Sequence, residues 1–232
     1  MRSRVRGRCG TPGSRACKPQ MPQPRKLHDR FFKQAKAEGY AARSAYKLIE
    51  IQDKKRLFKS GDRVLDLGCA PGSWLQVVEK AVGQRGAVVG VDLQEMRLRL
   101  GPRVFVLQAD AFTVDPAELF GLAGGRFNAI LSDMAPNTSG HGDDFLSVRL
   151  CRRVLELLPT LMQPGGNLVM KVLEGAEYPA LLKETKAMFN DARGLKPEAS
   201  RELSREIFIV ALGYKPRPAA ALPASTPEQP GA

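Results

Sequence analysis

Residues 63–93 read RVLDLGCAPGSWLQVVEKAVGQRGAVVGVDL. The run RVLDLG is apolar apart from its acid and short enough for a buried strand. Ser73–Val82 follows a turn rich in small residues and has the length and composition of a helix, and AVVGVDL is a second apolar run. Runs of Val, Ile and Leu without polar alternation suit strands covered on both faces. Strand, glycine turn, helix, strand is the opening unit of a doubly wound parallel sheet. A glycine turn at that junction lets a ligand approach the backbone, and the helix N-terminus behind it favours polar or negative groups.

Twenty residues after Gly72 the second strand ends in Asp92. An acid at that tip can bind both ribose hydroxyls of an adenosine. This much fits a dinucleotide as well as S-adenosylmethionine, but the D-x-G-x-x-x-G spacing, in place of G-x-G-x-x-G, tilts the reading to S-adenosylmethionine. Asp110, in QADAF after a third strand, stands where an acid meets an adenine amino group, or where it caps a helix. Trp74, the only tryptophan, is either core or a cofactor contact beside the turn.

The alternation continues along the chain. Helical segments are expected over about 30–55, interrupted near Gly39, with Ala45, Leu48, Ile49 and Gln52 on one face. VFVLQAD is a third strand and FNAILSDM a fourth, followed by a helix at about 144–161. NLVMKVL is a fifth, with a helix at about 179–189, and final strands lie near 194–196 and 206–212. Residues 1–24 read as a disordered basic extension, 25–215 as the folded domain, and 216–232 as a disordered Pro/Ala-rich tail.

The chain has 232 residues and a formal net charge of +12. Residues 1–36 hold 11 Lys/Arg against the single acid Asp29, which leaves the rest near neutral. Such a segment suits a polyanion such as RNA, since neutralising phosphates supplies affinity independent of sequence. A solvated tail without a role, or an organellar transit peptide, gives the same composition. Arg30, Lys33, Lys36 and Arg43 are candidates to line an RNA groove with Lys26. Phe31 and Phe32, interleaved there, are read as helix-packing residues. Cys9, Cys17, Cys69 and Cys151 show no C-x-x-C pairing and there are two histidines, which supports neither a zinc site nor a disulfide framework. No run approaches the roughly 18 apolar residues of a membrane span. A polar loop at 137–143, carrying His141, is either a cover for a substrate or a plain connection.

Four motifs in fixed order go further: ARSAYKL around Lys47, LSDMAPN around Asp133, VMKVL around Lys171 and SREIFIV around Glu206. Together they resemble the RrmJ/FtsJ family of RNA ribose 2'-O-methyltransferases over about 27–215. SDMAPNTSG and KPEASRELSRE are the most specific stretches. One departure is Cys69 and Ser73, where the family often shows alanine and glycine. The resemblance implies a class I S-adenosylmethionine-dependent methyltransferase fold, α/β and Rossmann-like. Its mixed seven-stranded sheet has helices on both faces and an antiparallel last strand. It implies a catalytic tetrad of Lys171, Asp133, Lys47 and Glu206, and cofactor contacts from Gly72, Trp74, Asp92, Asp110 and Asp133. In that scheme Lys171 is the base, Asp133 orients its amine, Lys47 and Glu206 position the ribose, and no metal is needed. It further implies a uridine ribose of 23S ribosomal RNA as acceptor, on the assembled or assembling large subunit, in the cytoplasm, by a monomer. A tRNA ribose enzyme of the same family and a catalytically idle RNA-binding assembly protein remain as alternatives.

Overall fold

The computed structural model describes residues 26–136, 142–200 and 204–216. The basic extension, the tail beyond residue 216 and His141 lie outside the described residues. Two helices, α1 (Lys26–Ala37) and α2 (Ala45–Lys55), precede β1 (Arg63–Leu67) and α3 (Ser73–Val82). Then come β2 (Ala87–Asp92), β3 (Val104–Gln108), α4 (Pro116–Ala123), β4 (Phe127–Ser132) and α5 (Asp143–Leu161). β5 (Met162–Leu173), α6 (Tyr178–Met188), β6 (Phe189–Leu195) and β7 (Glu206–Tyr214) complete the order.

The strands form one seven-stranded sheet in the order β3-β2-β1-β4-β5-β7-β6. β1 to β5 pair in parallel, and β7 runs antiparallel to both of its neighbours. Each face of the sheet carries its own core. Leu168, Met170 and Val172 of β5 point to the side packed with α5 residues Val148, Cys151 and Val154. Val169 joins the other side, with Ala45 and Leu48 of α2 and Trp74 and Leu75 of α3. Since strand side chains alternate faces, Lys171 falls on the α2/α3 side, at the carboxyl end of β5. β5 lies between β4 and β7, so Lys171 is not on an edge strand.

Three elements differ from expectation. α4 was not anticipated, although Asp115 caps it by accepting from the Ala117 N–H at 2.8 Å, Pro116 opens it and Gly124 closes it with φ 69°. Those are ordinary start and stop signals, but at eight residues the helix is too short for periodicity to reveal it. β5 begins at Met162, before the Pro164-Gly165-Gly166 kink, because Phe127 pairs with Met162 and Ala129 with Asn167 around an irregularity. β6 begins at Phe189 rather than near 194, as an edge strand that buries little beyond Phe189 and Ala192. The buried face of α2 also differs: it runs Ala45, Lys47, Leu48, Ile51, with Ile49 half-buried. Gln52 instead ties the loop behind the helix, donating to the Phe58 carbonyl at 2.7 Å.

Candidate active site

The glycine turn joins β1 to α3 at the carboxyl edge of the sheet. The Gly68 N–H donates to the Val91 carbonyl at 2.8 Å, which locks the turn to β2. Gly68 has φ 80°, and a Cβ there would stand 2.8 Å from the Met134 nitrogen and 2.9 Å from its Cα. Glycine is thus required both by conformation and by the close approach of the chain after β4. Asp92 uses both oxygens locally: the Ala70 N–H donates to Oδ2 at 2.9 Å and the Gln94 N–H to Oδ1 at 2.8 Å. Asp110 accepts from the Phe112 N–H at 2.9 Å, so it stabilises the turn after β3. It also faces a cavity of about 420 Å³ shared with Gly68, Asp92, Phe112, Asp133 and Met134. The two readings of Asp110 are therefore compatible.

Gly72 and Trp74 do not line this cavity. Gly72, at φ 102°, lies under Leu98 and Met96, whose side chains would stand 2.8 and 2.9 Å from a Cβ. Trp74 is only 2% exposed. Its indole N–H donates to the Ser44 carbonyl at 2.9 Å, and its ring lies 5.9 Å from Phe208. The side chain thus acts as a brace between α3 and the start of α2. Ser44 and Ser73 add a hydroxyl contact at 2.8 Å, and Gln76 donates to the Gly39 carbonyl at 2.9 Å. These ties fix α2, and with it Lys47.

Lys47, Asp133, Lys171 and Glu206 come together as two ion pairs. Lys171 Nζ lies 2.9 Å from Asp133 Oδ1 and donates to the Asp133 carbonyl at 2.7 Å. Lys47 Nζ lies 2.7 Å from Glu206 Oε2, and its charge sits 5.6 Å from the Phe208 ring centroid. Register explains the meeting: Lys171 pairs with Phe208 and Leu173 with Glu206 across β5 and β7. Residues opposite one another in an antiparallel pair project to one face, so Glu206 is diagonal to Lys171 on the α2 side. Burial works to raise the Glu206 carboxyl, but the charge and hydrogen bond of Lys47, then Lys171 and Ser204, outweigh it, so the carboxyl lies below its ordinary value. Asp133 is held to the glycine turn as well, its N–H donating to the Leu67 carbonyl at 3.2 Å. The two halves of the site are thus built on one edge.

Asp66 opens the D-x-G-x-x-x-G spacing, but the sequence reading gave it no role. It is fully buried, and neither carboxylate oxygen has a hydrogen-bond partner. Burial, then the charges of Asp133 and Asp92, pushes it well above the ordinary carboxylate value. An acid inside the apolar run VLDLG was the available signal, the same kind that marked Lys171. The basic residues Arg30, Lys33 and Lys36 are exposed on α1. Phe31 packs against Tyr46 with centroids 5.5 Å apart, as expected, but Phe32 is 62% exposed and packs little. Cys69 and Cys151 are buried free thiols, Cys151 pushed up to about 12 by burial, so neither is a ready nucleophile.

Known proteins resemble this chain in sequence and in fold. The family model described as FtsJ-like methyltransferase matches residues 40–214. The chain is 43% identical over 188 residues to "Ribosomal RNA large subunit methyltransferase E" of Syntrophobacter fumaroxidans, covering 80% of this chain and 95% of that one. It is 36% identical over 198 residues to the protein of the same name from Methanobrevibacter smithii, covering 84% and 94%. Among solved structures, a Plasmodium falciparum protein assigned as a ribosomal RNA methyltransferase superposes with a TM-score of 0.67 at 27% identity, over 77% of this chain and all of that one. On the family match over residues 40–214 and these identities, this chain belongs to the FtsJ-like methyltransferase family.

Proposed function

We propose that this protein transfers the methyl group of S-adenosylmethionine to a ribose 2'-hydroxyl, that of a uridine in 23S ribosomal RNA on the large subunit. The observation that carries the chemistry is the Lys171–Asp133 pair standing beside the Lys47–Glu206 pair at the mouth of an acid-lined cavity. The names of the relatives carry the substrate. Their ribosomal substrate, with the free buried thiols, fits a cytoplasmic setting.

The residues present suit the cofactor. Asp92 is placed for the ribose hydroxyls of its adenosine and Asp110 for the adenine edge. Asp66 lies beneath the glycine turn, wholly buried and with two unpartnered oxygens, so burial keeps it in its neutral form. Gly68 keeps the floor of the cleft free of a side chain. When bound, S-adenosylmethionine supplies a methyl carbon already activated by its sulfonium.

A ribose hydroxyl is a weak acid and a poor nucleophile, so the protein must align it and take its proton. Alignment of reacting groups is the larger part of such catalysis. Lys171 acts as the base in the molecules in which its amine has given up its own proton: that amine would take the hydroxyl proton as the methyl passes from sulfur to the ribose oxygen. Asp133 holds that amine by its carboxylate and carbonyl. Lys47 and Glu206 bracket the ribose and balance the charge.

The experiment is transfer of labelled methyl groups to three acceptors from an unmodified source: intact large subunits, naked ribosomal RNA and bulk tRNA. Label on a uridine ribose of the large-subunit RNA is expected. Label in tRNA alone would overturn the substrate, and no transfer despite bound cofactor would overturn the enzyme reading.

A further inference from the structure

Helix α5 begins with side chains that packing does not use. Ser147, Val148 and Cys151 are buried against the sheet, whereas Phe145 is 56% and Leu146 39% exposed. Scattered apolar side chains on a surface are ordinary, but two in succession at the rim of a reactive site point to a partner. The rim position follows from contacts. Ser147 Oγ accepts from the Leu173 N–H at 2.9 Å, and Leu173 pairs with Glu206. The Asp144 carboxylate lies 3.7 Å from Arg205, the residue before Glu206. Helical side chains lean toward the N-terminus of their helix, so Phe145 and Leu146 project beyond the end of the sheet. They stand on the α5 side of Lys171, across the sheet from Lys47 and α2. Arg205, whose side chain is 59% exposed, is held in place beside them by the Glu174 carbonyl, to which Nε donates at 3.1 Å.

We infer that Phe145, flanked by Leu146, is a positioning residue that stacks on a nucleobase next to the methylated ribose, with Arg205 set to meet the backbone phosphate there. The occupant is RNA because the ribose must reach Lys171, so whatever lies on this rim is continuous with the acceptor itself. A ring beside a fixed cation is the pairing that unstacked nucleic acid uses. The inference rests on the reading of the site as an RNA ribose methyltransferase.

The test compares the wild type with Phe145→Ala, Phe145→Trp and Phe145→Leu on the RNA acceptor. Phe145→Ala is expected to raise KM for RNA about tenfold and leave kcat within about twofold, the scale of one lost base–aromatic stack. Melting temperature and cofactor affinity should stay unchanged, because the ring is exposed. Phe145→Trp should recover the wild-type KM, and Phe145→Leu, apolar but without a ring, should not. An unchanged KM in Phe145→Ala, or full recovery by Phe145→Leu, would overturn stacking, the latter in favour of an apolar contact with a ribosomal protein. Absence of transfer by the wild type would overturn the function itself, a result distinguishable from either.

Discussion

At the residue scale, two carboxylates with opposite perturbations carry separate predictions. Glu206 lies below its ordinary value because Lys47 and Lys171 outweigh its burial. Its contribution to stability is therefore complete above the unfolded carboxylate value and lost as pH falls through the lower folded one. Glu206→Gln leaves Lys47, whose side chain is 7% exposed, without a counter-ion. The cost at pH 7 should be on the order of 2 kcal/mol, less than for a wholly buried pair because Glu206 keeps some solvent. The stability difference between the two proteins, read by denaturant unfolding, should shrink as pH falls through that lowered folded value; equal stability at pH 7 would refute the pairing. Asp66 is the reverse case, with its folded value raised. Native protein holds the proton that the unfolded chain releases, so the wild type loses stability as pH climbs above the ordinary carboxylate value. Asp66→Asn should therefore melt higher than the wild type at pH 7, with the difference fading toward pH 4. A lower melting temperature at pH 7 would contradict the buried, unpartnered state.

At the scale of elements, the glycine turn bears the tightest constraint. Gly68 combines φ 80° with a hypothetical Cβ that meets the Met134 backbone under 3.0 Å. Backbone cannot swing aside as a side-chain end can, so Gly68→Ala should cost at least about 1–2 kcal/mol from the left-handed conformation alone. The displaced Met134 would carry Asp133 with it, so cofactor affinity and methyl transfer should both fall, as calorimetry and turnover would report. Wild-type affinity in that variant would exclude the close approach. Much of this scale was legible in the chain. The runs that became β1, β2 and β4 are apolar without alternation because both faces are covered, and Ser73–Val82 has the bounds expected of it. α4 and β6 were hidden for physical reasons: one is too short to show a period, and the other is an edge strand with few buried positions. The four residues were legible only jointly, because Lys47 and Glu206 look like surface charges until the β5–β7 register brings Glu206 to Lys171 and the ties between α2 and α3 bring Lys47 to Glu206. Trp74 shows the opposite limit. Its position beside the turn left core and cofactor contact both open, and nothing in the sequence pointed to the indole bond by which it braces α2 to α3.

At the scale of the whole molecule, binding and chemistry are assigned to different parts. In the proposed reading the cavity beside β1, β2 and β3 takes the cofactor, and exposed cations on α1 suit phosphate over a broad area. The amine proposed as the base comes from one residue of β5, Lys171. Cofactor affinity, RNA affinity and turnover should therefore separate cleanly in a single variant. Lys171→Met keeps the length of the side chain and removes its amine. The most direct test is turnover by this variant, measured beside its affinities for S-adenosylmethionine and for large-subunit RNA. The account predicts transfer lowered by about 10³-fold, within the range of lost acid–base catalysis, with both affinities near wild type. Transfer close to the wild-type rate would contradict the assignment of Lys171 as the base.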